Sequence, residues 1–299
     1  MPRIQGIILD RDEHHRLIRV KTPGRIVGVH FQRAAFNRFA AHLVPGVLII
    51  VNTRHRVRRR HPAYRLQATE VLALIARQRR GRKRLYSRTS MRRDIRAFVN
   101  TLDVKMFLDL ELSMHPYKPD PTFKQEIIQA GYVLVDGTDT VIERYSAVIK
   151  PTVHKRLSKR TLKFLSVTQE DVDNGLDYQD FYTHFRDVVE KTRPAIVVWG
   201  KNDGLSLKES YDINRLPDLS ATCRIVNLLE LHKNYYHLKD DLGLANAHRL
   251  YGHETSSQRH DALEDAMMTH DVFIAFKAVL NNERGVDLNA LNALNADRS

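Results

Sequence analysis

The sequence predicts two parts in series: a small β-barrel followed by a basic helical segment, then an α/β layered domain. Three observations carry that reading. Short alternating apolar runs fill the first 70 positions. From Lys105 onward, apolar strands alternate with helical patterns. Between these stretches the charge changes sign: residues 1–53 carry a formal +5, residues 54–96 carry +14 and residues 97–299 carry −6. A domain boundary near residue 100 follows. With 299 residues, 42% of them hydrophobic, the chain is globular and long enough for two cores.

The barrel is assembled from five short strands. Arg3–Leu9 and Arg16–Lys21 flank the polar turn Asp10–His15, and Arg25–Phe31 follows the turn Thr22-Pro23-Gly24. Pro45-Gly46 introduces Val47–Val51, and Tyr64–Thr69 makes a fifth. Five strands in about 70 residues fit a closed or partly open small barrel, the OB type among them. A purely structural β module fits the same pattern. Residues 71–103 are expected to be an Arg-rich helical linker, because Val71, Leu72, Leu74 and Ile75 recur at helical spacing.

The second domain, expected over 104–281, begins with the buried strand Met106–Leu112 and a Pro-rich loop, His115–Pro121. Ile127–Val135 and Val141–Ile149 read as two further strands, and Ala195–Trp199 as a fourth. Helical patterns cover Leu162–Leu165, Tyr178–Lys191, Leu205–Tyr211, Asn227–Tyr236, Asp240–Tyr251 and the long stretch Ala262–Leu280. The order β-β-β-α-β-α and then helices suits an α/β fold of the ribonuclease-H kind. Residues 282–299 read as a frayed tail.

The formal net charge of +13 points to a polyanionic partner. The apolar runs are far too short to span a bilayer, and the first residues lack the apolar core of a signal peptide. The single cysteine, Cys223, excludes an intramolecular disulfide and reads as a small core residue. A soluble protein of the cytoplasm fits these features. Residues 54–96 hold 16 Lys and Arg against Glu70 and Asp94 alone, more than solvation requires. Arg58, Arg59, Arg60, Arg79, Arg80, Arg82, Lys83 and Arg84 are the candidate nucleic-acid contacts, aimed at phosphates rather than base edges. Tyr64, Tyr86 and Phe98 nearby suit either base stacking or a core.

Three acidic stretches stand out in the second domain. In Phe107-Leu108-Asp109-Leu110-Glu111-Leu112, strand alternation puts Asp109 and Glu111 on one face. Paired carboxylates beside apolar residues repel and are costly to desolvate, which a hard divalent cation relieves. Asp203 follows the apolar strand ending at Trp199-Gly200, where open α/β sheets place their sites, although a helix N-cap explains it equally well. His260-Asp-Ala-Leu-Glu-Asp265 leads into the long helix, whose first turn favours acids in any case.

Taken together, Asp109, Glu111, Asp203, His260 and Asp265 resemble, in order and spacing, the DEDDh branch of the DnaQ-like 3′→5′ exonuclease superfamily. The stretches Glu126–Gln129, Val148–Pro151, Thr168–Val172 and Gly243–Ala247 look like the family too. The Trp199-Gly200 dipeptide and the Pro-containing loop after Glu111 are most similar to the Eri-like/KapD-like group. Leu112 departs from the family's usual residue for wedging the terminal base. Asp261 is a second acid beside the motif, but the His-x4-Asp spacing selects Asp265.

The resemblance implies a ribonuclease H-like fold and two divalent cations, Mg²⁺ or Mn²⁺. Asp109, Glu111, Asp203 and Asp265 would hold them, with Asp109 touching both and Asp203 acting partly through water. His260 would take the proton from the attacking water, and nucleoside 5′-monophosphates would leave. Many members of that group act on RNA, so RNA is expected over DNA as the substrate, entering by a single-stranded 3′ end, with structured RNA included. A DNA proofreading or repair exonuclease and a non-catalytic nucleic-acid-binding protein on the same fold are the rival readings. His232, His237, His248 and His253 show no metal-ligand spacing and read as surface or helix-end residues.

Overall fold

The computed structural model describes residues 2–55, 66–78, 81–115, 123–219, 222–238, 240–254, 261–287, 289–291 and 293. Chain contacts divide it into two units, Met1–Ile95 and Arg96–Ser299.

In the first unit, β1 (Arg3–Asp12), β2 (Leu17–Lys21), β3 (Ile26–His30), β4 (Leu48–His55) and β5 (Leu66–Gln78) close a barrel in the order β1-β2-β3-β5-β4-β1. All pairs are antiparallel except the β3–β5 contact that seals it, Val29 opposite Leu66 and His30 opposite Gln67. β1 serves two neighbours, pairing β4 through Arg3–Ile7 and β2 through Ile7–Asp12. That double duty brings backbones close: a Cβ on Gly6 would lie 2.3 Å from the Lys21 carbonyl oxygen. A helix not foreseen from the sequence, α1 (Arg33–Phe39), links β3 to β4. This order, with a helix between the third and fourth strands, matches the OB arrangement. Ile8, Ile18, Val20, Val29, Ile49 and Leu74 fill the interior at 0% exposure, each burial worth about 1.5–3 kcal/mol.

The expected helix over the 71–87 stretch is absent. β5 runs on to Gln78, and β6 (Gly81–Ser87) pairs back with it. Only Arg88–Asn100 is helical (α2). The reason lies in two bulges. The register between β4 and β5 shifts twice, leaving Thr69 and Leu72 as extra residues in β5. Inward side chains therefore fall at Leu66, Ala68, Val71 and Leu74. The last intervals are three residues, and a bulged strand so counterfeits a helical period.

The second unit is built on a five-stranded sheet, β11-β10-β7-β8-β9. β7 (Lys105–Leu112) is central, antiparallel to β8 (Ile127–Val135), which pairs with β9 (Val141–Val148). β10 (Ala195–Val198) and β11 (Arg224–Asn227) run parallel to β7. Between β9 and β10 come α3 (Lys159–Leu165), α4 (Gln169–Asp173) and α5 (Tyr178–Thr192). α6 (Asn202–Asn214) follows β10, and α7 (Leu228–Tyr236), α8 (Leu244–Leu250) and α9 (Ala262–Leu280) complete the unit. Met106, Leu108 and Leu110 of β7 pack with Phe181, Phe185 and Leu207 of α5 and α6. The opposite face of β7 meets α9, where the Phe107 and Phe273 rings lie 5.2 Å apart.

The stretch expected to fray is partly built. Leu291 is only 8% exposed and donates its backbone N–H to Asp287. Among the described residues, no helix is long and apolar enough to cross a membrane.

Candidate active site

β7 alternates as its sequence requires, and this sets the polarity of the site. With Phe107 against α9 and Leu108 and Leu110 turned to the other core, Asp109 and Glu111 face the start of α9. Opposite Asp109 in β8 stands Gly131. A Cβ there would lie 2.2 Å from the Leu263 nitrogen and 2.3 Å from the Ala262 carbonyl carbon. Gly131 therefore lets the first turn of α9 rest directly on the sheet, which brings Asp265 over the two strand acids. Carboxylate oxygens of Asp109, Glu111 and Asp265 lie within 4.8 Å of one another.

Asp261 is the N-cap of α9. Its Oδ1 accepts from the Leu263 and Glu264 N–H groups, both at 3.0 Å, and its Oδ2 accepts from Gln129 Nε2 at 2.9 Å. Its oxygens are thus occupied in aiming the helix, which leaves Asp265, one turn on, for the pocket. Asp203 proves not to be a helix cap: Lys201 holds that position in α6. Asp203 lies in the first turn and its Oδ1 accepts the Leu110 N–H across the sheet at 3.2 Å. This ties α6 to the strand that carries Asp109 and Glu111.

Electrostatics set this pocket apart. Burial, then the charges of Asp203, Asp265, Glu111 and Asp261, hold the Asp109 carboxyl well above the usual range. Burial and the charges of Asp265, Asp203 and Asp261 push Glu111 up to about 7. Asp203 is pushed up to about 6 by burial, with its own and the Leu110 N–H groups opposing and Asp265 assisting. The all-oxygen donor set of these acids fits a hard divalent ion.

Asp109, Glu111, Asp203 and Asp265 thus converge from three elements. His260 lies outside the described residues, as do Arg58, Arg59, Arg60, Arg79, Arg80 and Tyr64. Arg82, Lys83 and Arg84 are exposed along β6 of the barrel. Tyr86 packs on Phe39 with ring centroids 4.9 Å apart, as part of the barrel core.

Some contributions are invisible in the motif. Gly131 and Gln129 position α9 without carrying chemistry, and the signal for Gly131 is a lone glycine in an apolar strand. Glu126 is an anchor: its carboxylate accepts from the Thr152, Val153 and His154 N–H groups at 2.5, 2.8 and 2.8 Å. Thr168 and Asp171 form a reciprocal cap on α4. The reading of the histidines needs correction. His232 is fully buried, its imidazole pushed down to about 3 by burial and paired with the Tyr251 hydroxyl at 2.9 Å. His248 is also buried.

Comparison with known proteins agrees with this architecture. A family model described as Exonuclease (RNase_T) matches residues 107–273, more than half of the chain. The Bacillus subtilis (strain 168) protein described as "Probable 3′-5′ exonuclease KapD" is 31% identical over 175 residues, which cover 58% of this chain and 84% of that one. Among solved structures, the nuclease domain of 3′hExo, a DEDDh family member bound to rAMP, superposes with a TM-score of 0.53 at 18% identity. That match covers 62% of this chain and 97% of the other. A 3′-exonuclease in specific recognition of the histone mRNA stem-loop 3′ end gives 0.53 at 16% identity, over 62% and 67% of the two chains.

Proposed function

Since the chain belongs to the exonuclease (RNase_T) family, with a 3′→5′ exonuclease fold of the DEDDh type, we propose that it removes nucleotides from RNA 3′ ends as 5′-monophosphates, with a preference for RNA over DNA. The observation carrying this reading is the convergence of Asp109, Glu111 and Asp265 within 4.8 Å, with Asp203 braced on the same strand. Divalent cations, Mg²⁺ or Mn²⁺, would relieve this mutual repulsion by sharing the pocket. Asp109, Glu111 and Asp265 would hold one, and Asp109 with Asp203 a second. When bound, such a pair neutralises charge on the scissile phosphate and stabilises the entering and leaving oxygens.

The chain's own groups do the rest. Asp203, held by the Leu110 N–H, keeps α6 and β7 in register at the pocket floor. Gln129 and Asp261 fix the direction of α9 and so the position of Asp265. His260 accepts the proton of the attacking water, a task suited to a group that titrates near neutral pH. The basic barrel answers a separate need. An acidic pocket repels a polyanion, so Arg82, Lys83 and Arg84, with Arg58, Arg59, Arg60, Arg79 and Arg80, hold the phosphate backbone. The RNA preference rests on likeness to relatives: one solved neighbour carries rAMP and another recognises an mRNA 3′ end.

RNA and DNA oligomers labelled at the 3′ or the 5′ end, incubated with Mn²⁺ or with EDTA, test the proposal beside Asp109→Ala. The expected result is metal-dependent shortening from the 3′ end, faster on RNA, with activity falling about 10⁴-fold in the variant. Tight binding without cleavage of any substrate would favour the binding-protein reading instead.

A further inference from the structure

Apart from the carboxylate pocket, α8, the turn after it and α9 bring together His248, His253 and Asp271, with one ligand atom of each inside 4.8 Å of the others. His248 is only 6% exposed, and neither of its ring nitrogens has a hydrogen-bond partner among the described residues. Its Nε2 lies 3.6 Å from Asp271 Oδ2, an ion-pair contact longer than a hydrogen bond. The His253 ring stacks on His248 with centroids 4.5 Å apart and planes 18° apart, and its Nε2 is also buried without a described partner. Burying imidazole nitrogens unpaired is costly. A neutral imidazole offers one lone-pair nitrogen, so one nitrogen from each ring, beside a carboxylate oxygen, makes a three-donor set for a single ion.

We propose that His248, His253 and Asp271 form a second metal site, for Zn²⁺ or a similar transition ion, distinct from the exonuclease centre. Two imidazoles and a carboxylate suit Zn²⁺, whereas Mg²⁺ takes oxygen donors and keeps its waters. Zn–ligand bonds of about 2.0–2.2 Å require the donors to draw inward slightly. His253 and Asp271 are both part-exposed and can turn to do so. Asp271 already has the support such a ligand needs: its Oδ1 pairs with His270 Nδ1 at 3.0 Å, leaving Oδ2 toward His248. Its side chain is 43% exposed, so a water can complete a tetrahedron from that side. The ligands come from α8, from its following turn and from α9, so the ion staples these elements together. His253 stands seven residues before His260 in the chain, and the staple thereby fixes one end of the segment that carries the proposed base.

The test uses the full chain carrying Asp109→Asn, stripped of metal and titrated with Co²⁺ in millimolar Mg²⁺. One equivalent of Co²⁺ should bind with visible absorption of a low-coordinate site, resist the Mg²⁺ and be displaced by one equivalent of Zn²⁺. Adding His253→Ala or Asp271→Asn should weaken Co²⁺ binding by about tenfold or more. Zn²⁺ should raise the melting temperature of the Asp109→Asn protein and leave that of either double variant unchanged. Metal-free melting curves show whether each variant folds, and the two substitutions are independent of each other. Co²⁺ binding of unchanged strength in a folded double variant would overturn the proposal, as would no binding in the Asp109→Asn protein. Because neither residue belongs to the carboxylate pocket, the outcome is independent of the exonuclease reading.

Discussion

The two units of this chain solve opposite electrostatic problems. The barrel and the stretch behind it concentrate positive charge, +19 over residues 1–96, and its described members Arg82, Lys83 and Arg84 are exposed. The second unit gathers acids in one pocket, where Asp109 and Glu111 are held away from their ordinary ionisation by burial and by neighbouring carboxylates. Exposed like charges cost little, because water screens them. Clustered buried ones cost a great deal and persist only where a ligand repays the cost. The contrast teaches where to look for chemistry: under the proposed function the strained charges would carry the reaction, and the relaxed ones the hold on the substrate.

Three experiments sharpen that division. The largest effect is expected at the proposed base. His260→Ala should lower kcat by roughly 10²–10⁴-fold while divalent-cation affinity stays the same. Metal titration by calorimetry beside single-turnover assays checks this, and an equal loss of both would make His260 a metal-pocket residue instead. Next comes Gly131→Ala. The new methyl meets the backbone at 2.2 Å, so α9 must lift from β8, at about 1–3 kcal/mol of stability. Activity should fall with it, because Asp265 moves away from Asp109. Denaturant unfolding and the 3′-end assay read the two losses, and a stable, fully active variant would contradict the assigned role.

The smallest effect concerns pH and the metal-free fold. Glu111 and Asp203 titrate in the folded chain at about 7 and about 6, above ordinary carboxylates. A raised folded value contributes stability that is complete at low pH and lost as pH climbs through it. The EDTA-treated protein should therefore melt a few degrees lower at pH 8 than at pH 5 through this pocket, and Mg²⁺ should abolish the difference. Scans of Asp109→Asn beside the wild type isolate the effect, since removing one charge should flatten the dependence. An unchanged slope in that variant would show that the carboxylates are not in conflict.

Much of the second unit was legible because its constraints are local. The alternation of Phe107–Leu112 dictates which way Asp109 points, and the apolar run before Trp199-Gly200 dictates where a strand ends. What escaped was set by partners distant in sequence. Asp203 is told from a helix cap by where α6 begins, with Lys201 as its cap, and its carboxylate accepts the N–H of Leu110, 93 positions away in β7. Gly131 matters because of α9, 131 positions later. In the barrel, the bulged Thr69 and Leu72 turned a strand into a false helix, since bulges depend on the neighbouring strand's register. His232 was misjudged for a like reason: its partner Tyr251 lies 19 positions on, in another element, so no sequence interval reveals its burial.

The division between holding and cutting is tested most directly by salt dependence. Steady-state kinetics on a 3′-labelled RNA, across a range of salt, would compare the wild type with Arg82→Ala, Lys83→Ala and Arg84→Ala combined. The predicted result is a raised KM, a plot of log KM against log salt flatter by about 2, as three lost phosphate contacts on a single strand require, and an unchanged kcat. An unaltered KM and slope, or a loss confined to kcat, would contradict it.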